Sequence, residues 1–187
     1  VAIINKVDSA TSDAIATVEG NVVKANPAAT IIKADSTITV DNPELIAGKR
    51  VLVVEDGPTL THGEMLIGAG SVAAQRYGAT EIVDPHPYAV GKIVDTFAKY
   101  PHVQNVLPAM GYGEEQLKDL ETTINNTDCD VVIIGTPIDL SRIITINKPH
   151  TRVHYELDEV TTPNLETVLD QFIAHHKLEK KTAVAHN

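Results

Sequence analysis

Two rhythms of apolar and polar positions alternate along most of this chain. Residues 1–4 form a short unbroken apolar run, as in a strand covered on both faces. Ile15, Val18 and Val22 follow at i, i+3 and i+7, a helix stripe. Asn26-Pro27 ends that helix, and Thr30-Ile31-Ile32 resumes a strand. A turn-rich stretch, DNPELIAGK at 41–49, reads as a linker.

A second series begins after it. Strands are expected at 51–55, 81–83, 103–107 and 131–134. Between them, helices are expected over 66–77, at the stripe Val90, Ile93, Val94 and Phe97, and at Leu117, Leu120 and Ile124. This strand–helix repetition predicts an α/β, Rossmann-like three-layer fold with a mostly parallel sheet. Residues 143–146 and 153–157 alternate apolar with polar positions and read as edge strands. Leu165, Val168, Leu169, Phe172 and Ile173 mark the clearest amphipathic helix, and a polar tail follows from Lys177. The organisation expected is therefore 1–48, the C-terminal part of a nucleotide domain; 49–150, a Rossmann-like domain; and 151–187, an edge strand, a helix and a polar tail.

The bulk numbers narrow the function. The 187 residues carry a net charge of −10, which repels nucleic-acid phosphates and anionic membranes. Cys129 is the single cysteine, so neither an intrachain disulfide nor a cysteine metal cluster can form. The chain has no apolar run of spanning length and no signal peptide, and it reads as cytoplasmic. It starts inside a strand pattern and without Met, which suggests a natural protein that continues upstream. No metal is expected. His150 and His154 stand roughly 13 Å apart on an extended segment at about 3.3 Å per residue, too far to share an ion.

Three stretches carry chemistry. The first strand delivers Asn5-Lys6-Val7-Asp8, an Asn-Lys-x-Asp tetrapeptide. Asp8 could accept from guanine N1–H and the 2-amino group, Asn5 could face O6 and N7, and the Lys6 stem could lie on the ring. A loop over 31–36 would add the Ala34 amide to O6. The plainer reading is a strand that ends in a polar turn. No G-x-x-x-x-G-K-[ST] loop is present to hold phosphates.

The second stretch, Asp56-Gly57-Pro58-Thr59-Leu60-Thr61-His62-Gly63, follows an apolar strand. Gly57 and Gly63 allow close backbone approach, and Thr59, Thr61 and the loop amides suit phosphate oxygens. His62 could supply charge or move a proton as the catalytic group. The structural alternative is a helix-entry loop. The third comprises the loops that begin at Asp84 and Gly135. Arg142 in the latter could meet a phosphate or carboxylate as readily as a surface ion-pair partner. Gly111 and Gly113, in PAMGYGEEQ, read as a helix entry, because Glu114 and Glu115 would repel an anion.

The strings NKVDSA, GKRVLVVEDGPTLTHG, GAGSVAAQRYGATEIVDPHPYAVG, LPAMGYGEEQ and DCDVVIIGTPIDL resemble the C-terminal portion of a P-loop family, over roughly residues 1–175. That family comprises predicted GTPases and cyclic 2,3-diphosphoglycerate synthetase-like proteins. The resemblance implies a nucleotide-dependent ligase or phosphotransferase, with GTP or ATP and Mg²⁺, acting on a small phosphorylated metabolite. It also implies a phosphate loop upstream of residue 1. A regulatory GTPase and a non-catalytic small-anion-binding module are the alternative classes, and a homodimer through the last segment is allowed. Because the chain lacks a phosphate loop, the 187 residues alone should hydrolyse neither GTP nor ATP. Phosphate release by the purified chain, with Asp8→Ala as the control for contaminants, checks this.

Overall fold

A computed structural model describes residues 1–62 and 68–176, apart from the side chains of Thr59 and His62. It divides into two compact units, 1–37 with the segment from Glu156, and 38–155. The chain passes from one unit to the other within two long strands, β2 (Ile31–Val40) and β7 (His150–Glu159).

In the smaller unit β1 (Ala2–Ile4) pairs in parallel with β2, Ile3 opposite Ile32. Between them runs α1 (Ser12–Ala25), whose free N-terminal amides are capped by Thr11 accepting from the Ala14 N–H at 3.3 Å. Val160 donates to the Lys33 carbonyl, which ties the end of β7 to β2. The final helix, α6 (Leu165–His175), is capped by Asn164, which accepts from the Thr167 N–H at 2.9 Å. Its amphipathic stripe is not interior: Leu169 and Phe172 are about half exposed, and neither α1 nor α6 has a fully buried residue.

The larger unit is a mostly parallel sheet flanked by helices, a Rossmann-like three-layer arrangement. Its centre is β3 (Arg50–Asp56), paired in parallel with β6 (Val131–Gly135) from Val51 opposite Val131 to Glu55 opposite Gly135. The short β4 (Glu81–Ile82) pairs with the start of β3, and β5 (Leu107–Ala109) with its end. On the other side β7 pairs in parallel with β6. Val51 to Val54 and Val132 to Ile134 are fully buried, as parallel strands covered on both faces must be. Packed around them are α2 (Gly57–His62), α3 (Ala69–Arg76), α4 (Lys92–Lys99) and α5 (Glu114–Asn126), which bury Leu60, Ala73, Ile93, Phe97, Leu120 and Ile124.

The sheet departs from expectation in three places. Strand pairing near residue 107 starts only after Asn105, whose φ of 50° breaks an extended run, so Val103 and Val106 join the core from a loop. Residues 143–146 form no strand. Side chains of α5 take their backbone groups instead: Glu121 accepts from the Thr145 N–H, and Asn125 bonds the Thr145 carbonyl and the Asn147 N–H. The segment at 153–157 is strand as expected but not an edge. It lies within β7, which pairs with β6 on one side, while Asp41 donates to its Arg152 carbonyl on the other.

Among the described residues no helix is long and apolar enough to cross a membrane. Ile133 sits at the middle of β6 with no exposure. Ile133→Ala should therefore lower stability by about 2–5 kcal/mol, through lost burial and a residual cavity, as read by urea unfolding.

Candidate functional site

Because β3, β4, β5 and β6 are parallel, their carboxyl ends share one edge, and the loops after them leave from that edge. Such edges are where α/β proteins build ligand sites. At the end of β3 the strand leads straight into α2. Gly57 stands so close to the neighbouring strand that a Cβ there would lie 2.6 Å from the Ala109 carbonyl oxygen and 2.5 Å from Met110 Sδ. This is close packing, which only glycine permits. Thr61, in α2, turns its hydroxyl back to donate to the Gly57 carbonyl at 2.9 Å and is buried. Thr59 lies in the same helix, and His62 is its last residue. The side chains of both, and all of Gly63, lie outside the described residues.

The best-ordered chemistry at this edge belongs to a residue the sequence reading treated only as a strand end. Glu55 is 2% exposed. Its Oε1 accepts from the Ser71 N–H at 2.8 Å and the Ser71 hydroxyl at 3.0 Å, and its carboxylate also takes the Gly70 N–H. These amides belong to the first turn of α3, whose own cap, Gly68, has no side chain to offer. Glu55 therefore caps α3 from another element. Around it the backbone comes too near for any side chain. A Cβ at Gly135 would stand 2.6 Å from Glu55 Oε2, and one at Gly68 would overlap the same carboxylate. Burial pushes the Glu55 carboxyl above the usual carboxylate range, with Asp56 adding to the rise; the bonds from Ser71 and Gly70 pull the other way.

The neighbouring loops supply charge. Asp84 accepts from the His86 N–H at 3.0 Å and meets the His86 ring at 2.6 Å. Burial would raise the Asp84 pKa, but the His86 backbone and ring outweigh it and hold it low. The His86 ring in turn stacks on Phe97. In the loop after β6, Asp139 is held low first by the Ser141 hydroxyl, which donates at 2.7 Å. Arg142 lies exposed in the short 3₁₀ turn that follows. A second arginine, not singled out from sequence, backs this loop. Arg152 on β7 donates from Nη2 to the Pro137 carbonyl at 2.7 Å, and its buried Nε has no hydrogen-bond partner among the described residues. The only signal for it was its place one strand over from Gly135, and strand order is not written in sequence. Tyr112, beyond β5, has its phenol pushed up by burial and then by Asp56.

In the smaller unit Asn5, Lys6 and Asp8 lie just past β1. Asn5 Oδ1 accepts from the Lys6 N–H at 2.8 Å, Lys6 has a φ of 62°, and Asp8 accepts weakly from the Ser36 N–H at 3.4 Å. Ala34 stands within continuous strand rather than in a loop, fully buried, with its carbonyl accepting from Val7. Lys33 forms an ion pair with Glu19 at 2.8 Å. Among the described residues no group of three or more His, Cys, Asp or Glu is arranged to hold a metal.

Comparison with known proteins gives one strong likeness. Over 181 residues, 97% of this chain, it is 58% identical to arginine synthetase ArcE of Thermococcus kodakarensis. The chain spans 40% of the length of that relative. No family model matches.

The buried carboxylate has a consequence for stability. Its folded pKa lies above the unfolded value, so the native state binds the extra proton between the two. The stability Glu55 contributes is fully present below the ordinary glutamate range and falls as pH rises towards its folded value. Urea unfolding from about pH 4 to about pH 8 should show that decline, and Glu55→Gln should flatten it.

Proposed function

We propose that this chain is part of a nucleotide-dependent synthetase whose other substrate or product is arginine. The observation that carries the reading is the 58% identity to arginine synthetase ArcE over nearly the whole chain. Electrostatics agree with it. A net charge of −10, with Asp56, Asp84 and Asp139 at or beside one sheet edge, attracts a cationic amino acid and repels a multiply charged phosphate ester. Arg142, exposed in the loop after β6, could meet a carboxylate or a transferred phosphoryl group there.

In this reading ATP or GTP binds with Mg²⁺ through a phosphate loop elsewhere in the whole protein, and Asn5, Lys6 and Asp8 contribute to holding the base; Ala34, fully buried within β2, is not placed to do so. The sequence nominates Gly57, Thr59, Thr61, His62 and Gly63 for the reacting groups at the edge of the larger unit, although the Thr61 hydroxyl is already given to the Gly57 carbonyl. A second reading keeps a phosphorylated metabolite as substrate. It is favoured by the VVEDGPTLTHG string, through which the chain resembles cyclic 2,3-diphosphoglycerate synthetase-like proteins.

Nucleotide turnover and calorimetry on the whole protein separate the two. Arginine should bind and couple to turnover of ATP or GTP, while 2,3-bisphosphoglycerate should do neither. Turnover with bisphosphoglycerate and none with arginine would establish the second reading in place of the first. Failure to bind either nucleotide would sink both.

A further inference from the structure

The loop that follows β6, from Gly135 to Arg142, is tied down at several points within the larger unit. The buried Thr136 donates its hydroxyl to the Ile138 carbonyl at 2.6 Å. Pro137 gives its carbonyl to Arg152 Nη2 at 2.7 Å, from the neighbouring strand β7, where Arg152 stands opposite Ile134 in register. Asp139 accepts from the Ser141 N–H at 3.2 Å and from its hydroxyl at 2.7 Å, and Leu140 is fully buried. The loop then reaches Arg142, which is exposed and has no hydrogen bond or ion pair among the described residues.

An exposed arginine is by itself ordinary surface. Two observations set this one apart. The loop that carries it is held by a second guanidinium, and that group keeps a buried Nε without a partner among the described residues. A buried donor left unpaired costs free energy, so its retention asks for a use of the charge. The local charges also have a definite sum. Asp139 is held low first by the Ser141 hydroxyl, against burial, and then by the fields of Arg152 and Arg142. Two guanidinium groups against one carboxylate leave a single positive charge in excess, which suits a monoanion better than a multiply charged phosphoryl group. One strand over, at a spacing of about 4.8 Å, β3 ends on Asp56. Positive and negative groups thus succeed each other along the edge, as the carboxylate and side chain of a cationic amino acid require.

We propose that this loop is the subsite for the α-carboxylate of the amino-acid substrate, with Arg142 in contact with it and Arg152 the positioning residue that holds the loop through Pro137. This assignment rests on the synthetase reading above and narrows it. The planar guanidinium of Arg142 offers a carboxylate two parallel hydrogen bonds, which a lysine cannot do. Because Thr136, Leu140 and Arg152 fix the loop beforehand, little ordering is left to oppose binding.

Arginine and agmatine, which has the same guanidinium chain without the carboxylate, separate the two ends of the ligand. Calorimetry on the whole protein, alone and with ADP or GDP present, should show arginine binding at least about tenfold tighter than agmatine. Arg142→Ala should weaken arginine about 10- to 100-fold and agmatine by less than about twofold, with nucleotide affinity within about twofold of the parent. Arg142→Lys should recover part of that loss. Arg152→Ala should lower the preference for arginine over agmatine about tenfold, whereas a purely structural defect would weaken both ligands alike. Hydrogen exchange at the β6 amides should be unchanged in all three variants.

An Arg142→Ala variant that binds both ligands as the parent does, or weakens both alike, overturns the subsite. So does a loss confined to the nucleotide, which would give Arg142 to a phosphoryl group, and so does a parent with no preference for arginine. An unaltered preference in Arg152→Ala, or loss of protection at β6 in that variant, overturns the positioning role of Arg152. If the parent binds neither arginine nor agmatine, the synthetase reading itself fails and the subsite falls with it. Arginine binding with an unaltered preference in both alanine variants sinks the subsite alone.

Discussion

The charge of Glu55 is buried where three elements of the larger unit end or begin, and the neighbouring geometry follows from the need to satisfy it. Removing a carboxylate from water costs several kcal/mol unless donors replace the lost hydration. Here the donors are amides that α3 would otherwise leave unpaired in its first turn, together with the Ser71 hydroxyl. The positive end of the helix dipole favours the same charge. Each party lacks a partner without the other. The raised pKa shows that compensation is incomplete, so the site holds some of its cost as a tendency to take up a proton.

That constraint explains a scatter of glycines that otherwise looks unremarkable. Gly68 and Gly70 at the start of α3 and Gly135 on β6 each leave room for the same carboxylate or its strand. Register makes this possible. The parallel pairing that sets Val51 against Val131 carries Gly135 to the position opposite Glu55 four residues later. The loops at this sheet edge carry Asp84, Asp139 and Arg142, with Arg152 behind them.

The outline of the fold was legible wherever a pattern is local. Unbroken apolar runs identified β3 and β6, and 3.6-residue stripes identified α1, α4, α5 and α6, because both periodicities are written directly in the order of side chains. The failures came where partners are distant. The backbone at 143–146 looked like strand because apolar and polar residues alternate there, but α5 side chains took its hydrogen bonds. The segment around Ala34 was expected to be a loop from its place after the Asn-Lys-x-Asp tetrapeptide and the next helix, yet its pairing with β1 keeps it extended. Glu55 passed as the polar end of a strand. Its one sequence clue, an acid that closes a fully apolar run ahead of a Gly-Ala-Gly-Ser turn, has meaning only once the strand end and the helix start are known to touch.

By itself, the sequence determined the α/β class, the succession of strands and helices, the excess negative charge and the presence of polar loops after the central strands. Each of these follows from composition or from neighbours a few residues apart. Tertiary structure alone decided which strand lies beside which, and hence that the loops after β3, β4, β5 and β6 share an edge. It also decided that Arg152 backs the loop after β6 and that Glu55 is buried rather than solvated. The physical reason is the same in every case. Burial and hydrogen-bond satisfaction depend on what arrives from elsewhere in the chain, and a carboxylate at the end of a strand is ordinary until a helix start and a glycine close over it.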